Sequence, residues 1–176
     1  MTKLILLLFS MTLFSCGQKG AGETAAPITE VKKASTTTAP SFNADSAYAY
    51  VEKQVSFGYR VPNTSAHKAC GDYLVSELKR FGAQVYEQEA TLKAYDGTPL
   101  ESRNIIGSFN PDKDKRILLF AHWDTRPYSD HDPDPANHKK PLDGADDGAS
   151  GVGALLEIAR QMGMKAPEVG VDIIFF

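Results

Sequence analysis

Arg116-Ile117-Leu118-Leu119-Phe120-Ala121-His122-Trp123-Asp124 and, after a loop, Gly144-Ala145-Asp146-Asp147-Gly148-Ala149-Ser150-Gly151 are the stretches whose reading decides the fold. Residues 117–121 are continuously apolar, the pattern of a strand buried on both faces. Polar residues begin at His122. If extended geometry continues, His122 and Asp124 point to the same side, because side chains alternate with period two. The second stretch runs through small residues into residues 152–160, whose apolar spacing predicts a helix. In open α/β sheets, ligands collect beyond the carboxyl ends of strands. An imidazole and several carboxylates therefore stand where that architecture places its chemistry.

Working outward, Val171-Asp172-Ile173-Ile174-Phe175-Phe176 reads as a last buried strand, and Asn110 to Lys115 as a charged turn before the central one. Residues 84–94 and 99–109 read as two strands around Asp96-Gly97, a hairpin signal. Asn43 or Asp45 can cap a helix running to about Phe57, with Ala47, Tyr50, Val51 and Val55 on one face. Phe57-Gly58-Tyr59-Arg60-Val61-Pro62 breaks it. Thr64 or Ser65 then caps a second helix with Ala66, Ala69, Cys70, Tyr73, Leu74, Leu78 and Phe81 at helical spacing, and Gly82 is a left-handed stop. Cys70 falls on the apolar face, as a small core residue rather than a nucleophile. His67 reads as a packing or surface histidine, not a ligand. Two helices, a hairpin and a strand–helix–strand unit predict the α/β class, a mixed sheet flanked by helices.

A chain of 176 residues suits one domain with a normal core. A net charge of −3 with no basic stripe gives no reason to expect a nucleic-acid partner. Two cysteines are too few for a disulfide framework. Residues 1–16 hold a lysine, a short leucine-rich run and Leu13-Phe14-Ser15-Cys16, the layout of a secretory signal too short to span a bilayer. The cysteine after Leu-Phe-Ser resembles a bacterial lipobox, with Phe14 bulkier than is usual. Lipidation of Cys16 is therefore expected, with the membrane as partner through a lipid anchor. Gly17, rather than an aspartate, points within the cell envelope to the outer membrane or the periplasm. Residues 17–41 are a flexible linker with almost no large apolar side chain to bury. Residues 42–176 are the folded body.

No His-Glu-x-x-His segment is present, so a helix-borne zinc site is excluded and metal ligands must come from separate strand ends. Asp130, Asp132 and Asp134 suggest a calcium loop, but an EF-hand needs glycine at its sixth position and glutamate at its twelfth. Pro135 and Pro141 stand there, so a solvated acidic loop is expected, with His131 and His138 belonging to it.

His-Trp-Asp-Thr-Arg-Pro at 122–127 and Gly-Ala-Asp-Asp-Gly-Ala-Ser-Gly at 144–151 resemble the zinc-dependent aminopeptidase and glutaminyl cyclase superfamily. The insert at 130–138 is most similar to bacterial glutaminyl cyclases of the single-zinc type. The similarity runs from about Ala44 to the last residue. It implies a zinc-aminopeptidase-like fold and zinc as cofactor, with Asp147 as a ligand, since the acidic residue after Gly-Ala-x binds metal in the family. Asp146 takes the variable position, solvated or capping. The competing reading of Asp147 is a plain helix cap, which the nearby His122-x-Asp124 pair disfavours. By the same resemblance His122 binds a second metal in two-zinc aminopeptidases and lies beside the metal in the cyclases. Asp124 orients the site as a catalytic residue, or holds the imidazole from behind.

The implied activity is closure of an N-terminal glutamine to pyroglutamate with release of ammonia, so peptides and proteins that begin with Gln are the implied substrates. The alternatives are a zinc aminopeptidase and a non-enzymatic surface lipoprotein that binds a partner. In the family, an acidic segment after the strand matching residues 171–176 supplies the base and a glutamate ligand, and a histidine ligand follows much later. The resemblance thus makes this chain an N-terminal fragment, truncated at its C-terminus, inactive alone and poor at binding zinc. Residues 173–176 are then expected as an uncovered apolar strand.

Overall fold

The computed structural model describes residues 39–176. The signal segment, Cys16 and most of the linker lie outside the described residues. Helix α1 spans Ala44–Ser56, and Asn43 caps it by accepting the Ser46 N–H at 2.9 Å. Helix α2 spans Ser65–Arg80, and the Thr64 hydroxyl accepts the His67 N–H at 3.1 Å. Each cap satisfies one of the backbone donors that a helix start leaves unpaired. Gly82, at φ +89°, turns the chain out of α2. Strands β1 (Gln84–Lys93) and β2 (Pro99–Phe109) form the expected antiparallel hairpin, closed where the Ala94 N–H donates to the Thr98 carbonyl at 2.9 Å.

Strand β3 spans Arg116–Ala121, helix α3 Gly151–Met164 and strand β4 Gly170–Phe175. The sheet order is β1-β2-β4-β3, with β4 antiparallel to β2 and parallel to β3. This is the expected mixed sheet with helices packed against it. Ile105, Phe109, Val171, Ile173 and Phe175 present one sheet face to Cys70, Leu74 and Leu78 of α2 and to Val152, Leu156 and Ala159 of α3. Helix α1 lies outside this layer, on α3 and on the turn that precedes it.

Among the described residues, the two apolar strands differ in burial. Strand β3, read as buried on both faces, is an edge strand of the described sheet. Its Ile117, Leu118 and Phe120 are 50%, 55% and 64% exposed. Strand β4, expected to end as an uncovered apolar strand, instead sits between β2 and β3, with Ile173 and Phe175 fully buried. Insertion of β4 between its neighbours pairs both of its edges and leaves β3 with one. An apolar run reads the same in either place.

The start of α1 is tied down by Glu157, whose buried carboxylate accepts from the Asn43 N–H at 3.0 Å, from Arg160 Nε at 2.6 Å and from Gln161 Nε2 at 2.7 Å. The hydrogen bonds from Arg160 do most to hold the Glu157 carboxyl at a pKa of about 2, against the opposing effect of burial. Charge-assisted bonds of this kind offset the desolvation of the carboxylate.

Candidate functional site

The site forms where the parallel strands β3 and β4 end. The Trp123 N–H donates to the Phe176 carbonyl at 3.2 Å, and the Phe176 N–H to the Ala121 carbonyl at 3.1 Å. The segment carrying His122 and Asp124 is thus stitched to the end of β4. The expected alternation holds: His122 Nδ1 and Asp124 Oδ1 are 3.3 Å apart. Trp123 turns the other way into the core, 1% exposed, and its indole N–H donates to the Arg103 carbonyl at 3.2 Å.

Asp147 arrives from the other side, in the turn Ala145–Ser150 that leads into α3. Its own backbone is not helical (φ −97°, ψ 93°), and no side-chain cap bond forms at this turn or at the start of α3. The carboxylate instead faces His122, with Oδ1 2.8 Å from Nε2. The Asp147–Gly148 peptide is cis. Gly148 and Ala149 are buried, and a Cβ added at Gly148 would sit 2.8 Å from His122 Nε2. Small residues at this helix start therefore permit the contact.

Both imidazole nitrogens thus point at carboxylate oxygens. An ionised carboxylate only accepts hydrogen bonds, and a neutral imidazole has one N–H to give. Both contacts are hydrogen bonds only for the doubly protonated ring. With a neutral ring, one nitrogen lone pair faces an oxygen, an arrangement that a cation between them resolves. The side chains of His122 and Asp147 are 39% and 70% exposed, so both donor atoms belong to groups that solvent reaches. Imidazole nitrogen and carboxylate oxygen are donors that zinc accepts, and a catalytic zinc site takes three protein ligands. The pair fits by type and supplies part of that number. Among the described residues, no group of three His, Cys, Asp or Glu side chains is placed to hold a metal ion.

The remaining candidates fall away from this centre. Asp146 is exposed, and its carbonyl accepts the Ser150 hydroxyl. In the aspartate-rich loop, Asp130 pairs with Arg126, Asp132 accepts from the Asp134 N–H and from Asn137, and Asp134 caps the short turn Pro135–Asn137. Those carboxylates stabilise the loop itself. Cys70 is fully buried, and burial pushes its thiol up to about 12, so it is an inert core residue. His67 packs as expected: its ring stacks on Trp123 at 4.0 Å, and burial lowers its pKa. With Trp123 it walls a cleft of about 190 Å³ beside Asp124, closed on the far side by Leu92, Leu100 and Glu101 of the hairpin.

Two residues at the site were not singled out from the sequence. Gln54 of α1 is fully buried and donates to the Ala149 carbonyl at 3.1 Å, tying α1 to the Asp147 turn. Arg60, read as part of a helix break, is also fully buried, with its guanidinium beneath the segments that carry His122 and Asp147. A polar residue in an apolar helical stripe could have flagged Gln54. Nothing local distinguishes Arg60.

Residues 104–176 match Peptidase family M28. Among solved structures, the chain is 79% identical to a Zn-dependent exopeptidase from Parabacteroides distasonis (TM-score 0.77), over 78% of this chain and 47% of that one. It is 67% identical to the glutaminyl cyclase of Tannerella forsythia (TM-score 0.77), again over 78% and 47% of the two chains. It is also 30% identical, over 60% of its length, to the Escherichia coli protein YfbL, of which it spans 29%. The chain covers about half the length of these solved structures and less of YfbL. Across its folded body it is therefore similar to the corresponding half of bacterial glutaminyl cyclases and zinc-dependent exopeptidases, with its second half matching Peptidase family M28.

Proposed function

We propose that this chain contributes the His122–Asp124–Asp147 centre of a zinc-dependent glutaminyl-peptide cyclotransferase, which closes N-terminal glutamine to pyroglutamate. The observation that carries this reading is its 67% identity to the Tannerella forsythia glutaminyl cyclase across the folded body. In the reaction the α-amine nitrogen bonds to the γ-carbonyl carbon, the bond from that carbon to the amide nitrogen breaks, and ammonia leaves. Zinc, when bound, supplies Lewis acidity at the γ-carbonyl oxygen. Asp147 would hold the metal, through a carboxylate that solvent reaches. Asp124 fixes the orientation of the His122 ring from its Nδ1 side, as carboxylates do behind imidazoles at metal sites. His122 in turn stands against Asp147 and holds that carboxylate at the end of β3, as a second ligand if the centre takes two metals.

The runner-up is a zinc aminopeptidase. It is favoured by 63% identity to a leucine aminopeptidase precursor from Bacteroides thetaiotaomicron and by the family match. The two readings differ in product. The full-length protein, incubated with a Gln-initiated peptide, is expected to release ammonia and leave a product about 17 Da lighter, as ring closure at a Lewis-acid site requires. Free amino acids with no cyclised product establish the aminopeptidase instead. Neither product, together with no bound zinc, favours a binding lipoprotein. Cys16 is the proposed anchor, which places the protein on a membrane of the cell envelope.

A further inference from the structure

We propose that Arg60 is the positioning residue that sets Asp147 opposite His122. Its side chain is fully buried, and every hydrogen-bond partner of its guanidinium is a backbone carbonyl. Three segments meet on it. Nη1 reaches Gln54 and Gly58, at the end of α1, at 3.4 Å each. Nε donates to the Trp123 carbonyl at 3.2 Å, between His122 and Asp124. Nη1 and Nη2 donate to the carbonyls of Asp143 at 3.0 Å and Gly144 at 2.9 Å, just ahead of Asp147. The Arg60 carbonyl also accepts the Thr125 N–H at 3.1 Å. One planar group therefore spans two halves of a site that are 25 residues apart in the chain.

A buried cation is weak evidence of stabilisation, because desolvation offsets its bonds and an apolar side chain of similar volume is often as good or better. A rigid fork of five N–H groups does what neither an apolar side chain nor a lysine does: it fixes several carbonyls at set angles and spacings. The contact is shaped from the other side as well. Gly144 takes φ +60°, and a Cβ there would lie 2.4 Å from Thr125 Cγ2, 2.6 Å from the Asp147 carbonyl and 3.0 Å from Arg60 Nη2. Glycine here lets the loop pack against Thr125 and the Asp147 carbonyl while its own carbonyl reaches the guanidinium. The loop leaves in a left-handed turn that points the chain toward Asp147.

This inference rests on the proposed zinc role of Asp147, and the experiment separates the two. In the full-length protein, zinc affinity is measured by chelator competition and amide exchange is followed across residues 143–148, for Arg60→Lys and for Leu78→Ala as a core-destabilised control. Arg60→Lys is expected to weaken zinc binding at least tenfold and to speed exchange in that segment, with the amides of α2 unchanged. Leu78→Ala is expected to lower thermal stability without either effect. Should Arg60→Lys fail to fold, Arg60→Gln, which keeps a planar N–H donor but loses the fork, must give the same loss of zinc. Equal losses in the two Arg60 and Leu78 variants, or wild-type zinc affinity and exchange in Arg60→Lys, overturn the inference. Wild-type zinc affinity in Asp147→Ala overturns the functional reading instead, and exchange in the 143–148 segment then decides Arg60 alone.

Discussion

At the scale of single residues, the site depends on how closely two backbones approach. A Cβ at Gly148 meets the His122 imidazole, with Cε1 at 2.7 Å and Nε2 at 2.8 Å, as well as the His122 carbonyl. Backbone cannot yield there as a flexible side-chain tip can, so Gly148→Ala must push Asp147 and His122 apart. Displacement of about 1 Å costs on the order of 10²-fold in rate. The expected outcome is that loss in turnover of a Gln-initiated peptide, with circular dichroism unchanged. Turnover within twofold of wild type would show that the His122–Asp147 contact is not the functional one. His122 and Asp124 were legible as a pair because a period-two alternation is local. The contact of His122 with Asp147 was not, since it closes across 25 residues and no local pattern encodes it.

At the scale of elements, the two apolar strands and the α1–α3 contact make opposite demands on substitution. Ile173 in β4 is fully buried, so Ile173→Ala should cost about 2–5 kcal/mol. Phe120 in β3 is 64% exposed, and Phe120→Thr should stay within about 0.5 kcal/mol. Urea unfolding of both variants checks this, and equal costs would contradict the β1-β2-β4-β3 order. The α1–α3 contact titrates. Bonds from Arg160, more than any other cause, bring the Glu157 pKa from its ordinary 4.5 to about 2. The folded state thus binds this proton less readily than the unfolded chain. Its contribution is fully present above pH 4.5 and is lost as pH falls toward 2. Glu157→Gln should therefore flatten the fall in urea midpoint across that window relative to wild type. An unchanged slope would mean that Glu157 is not linked to folding.

At the scale of the whole molecule, the described body has no helix long and apolar enough to cross a membrane. Membrane attachment through Cys16, outside the described residues, is a separate proposal that rests on the lipobox-like Leu13-Phe14-Ser15-Cys16. A single acyl chain binds a bilayer only marginally, whereas several hold it stably. Expressed in a Gram-negative host, the protein should partition into detergent, and Cys16→Ser should move it to the aqueous phase. Equal partitioning of the two would remove the anchor. The 25-residue linker proposed between anchor and body, residues 17–41, is already held at its end, where the Ser41 carbonyl accepts from Gln161 Nε2 at 3.0 Å.

The sequence by itself determined the elements: helix starts at Asn43 or Asp45 and at Thr64 or Ser65, the stop at Gly82, the hairpin around Asp96-Gly97 and the side shared by His122 and Asp124. These rest on backbone dihedrals and side-chain periods within a few residues. Only the tertiary structure decided which apolar strand lies inside, because burial belongs to a strand's neighbours and not to its composition. It also decided that Asp147 faces an imidazole and caps no helix, and that a buried guanidinium at Arg60 joins the two halves of the site. Both outcomes depend on hydrogen bonds between segments far apart in the chain, and those geometries exist only once the core has closed.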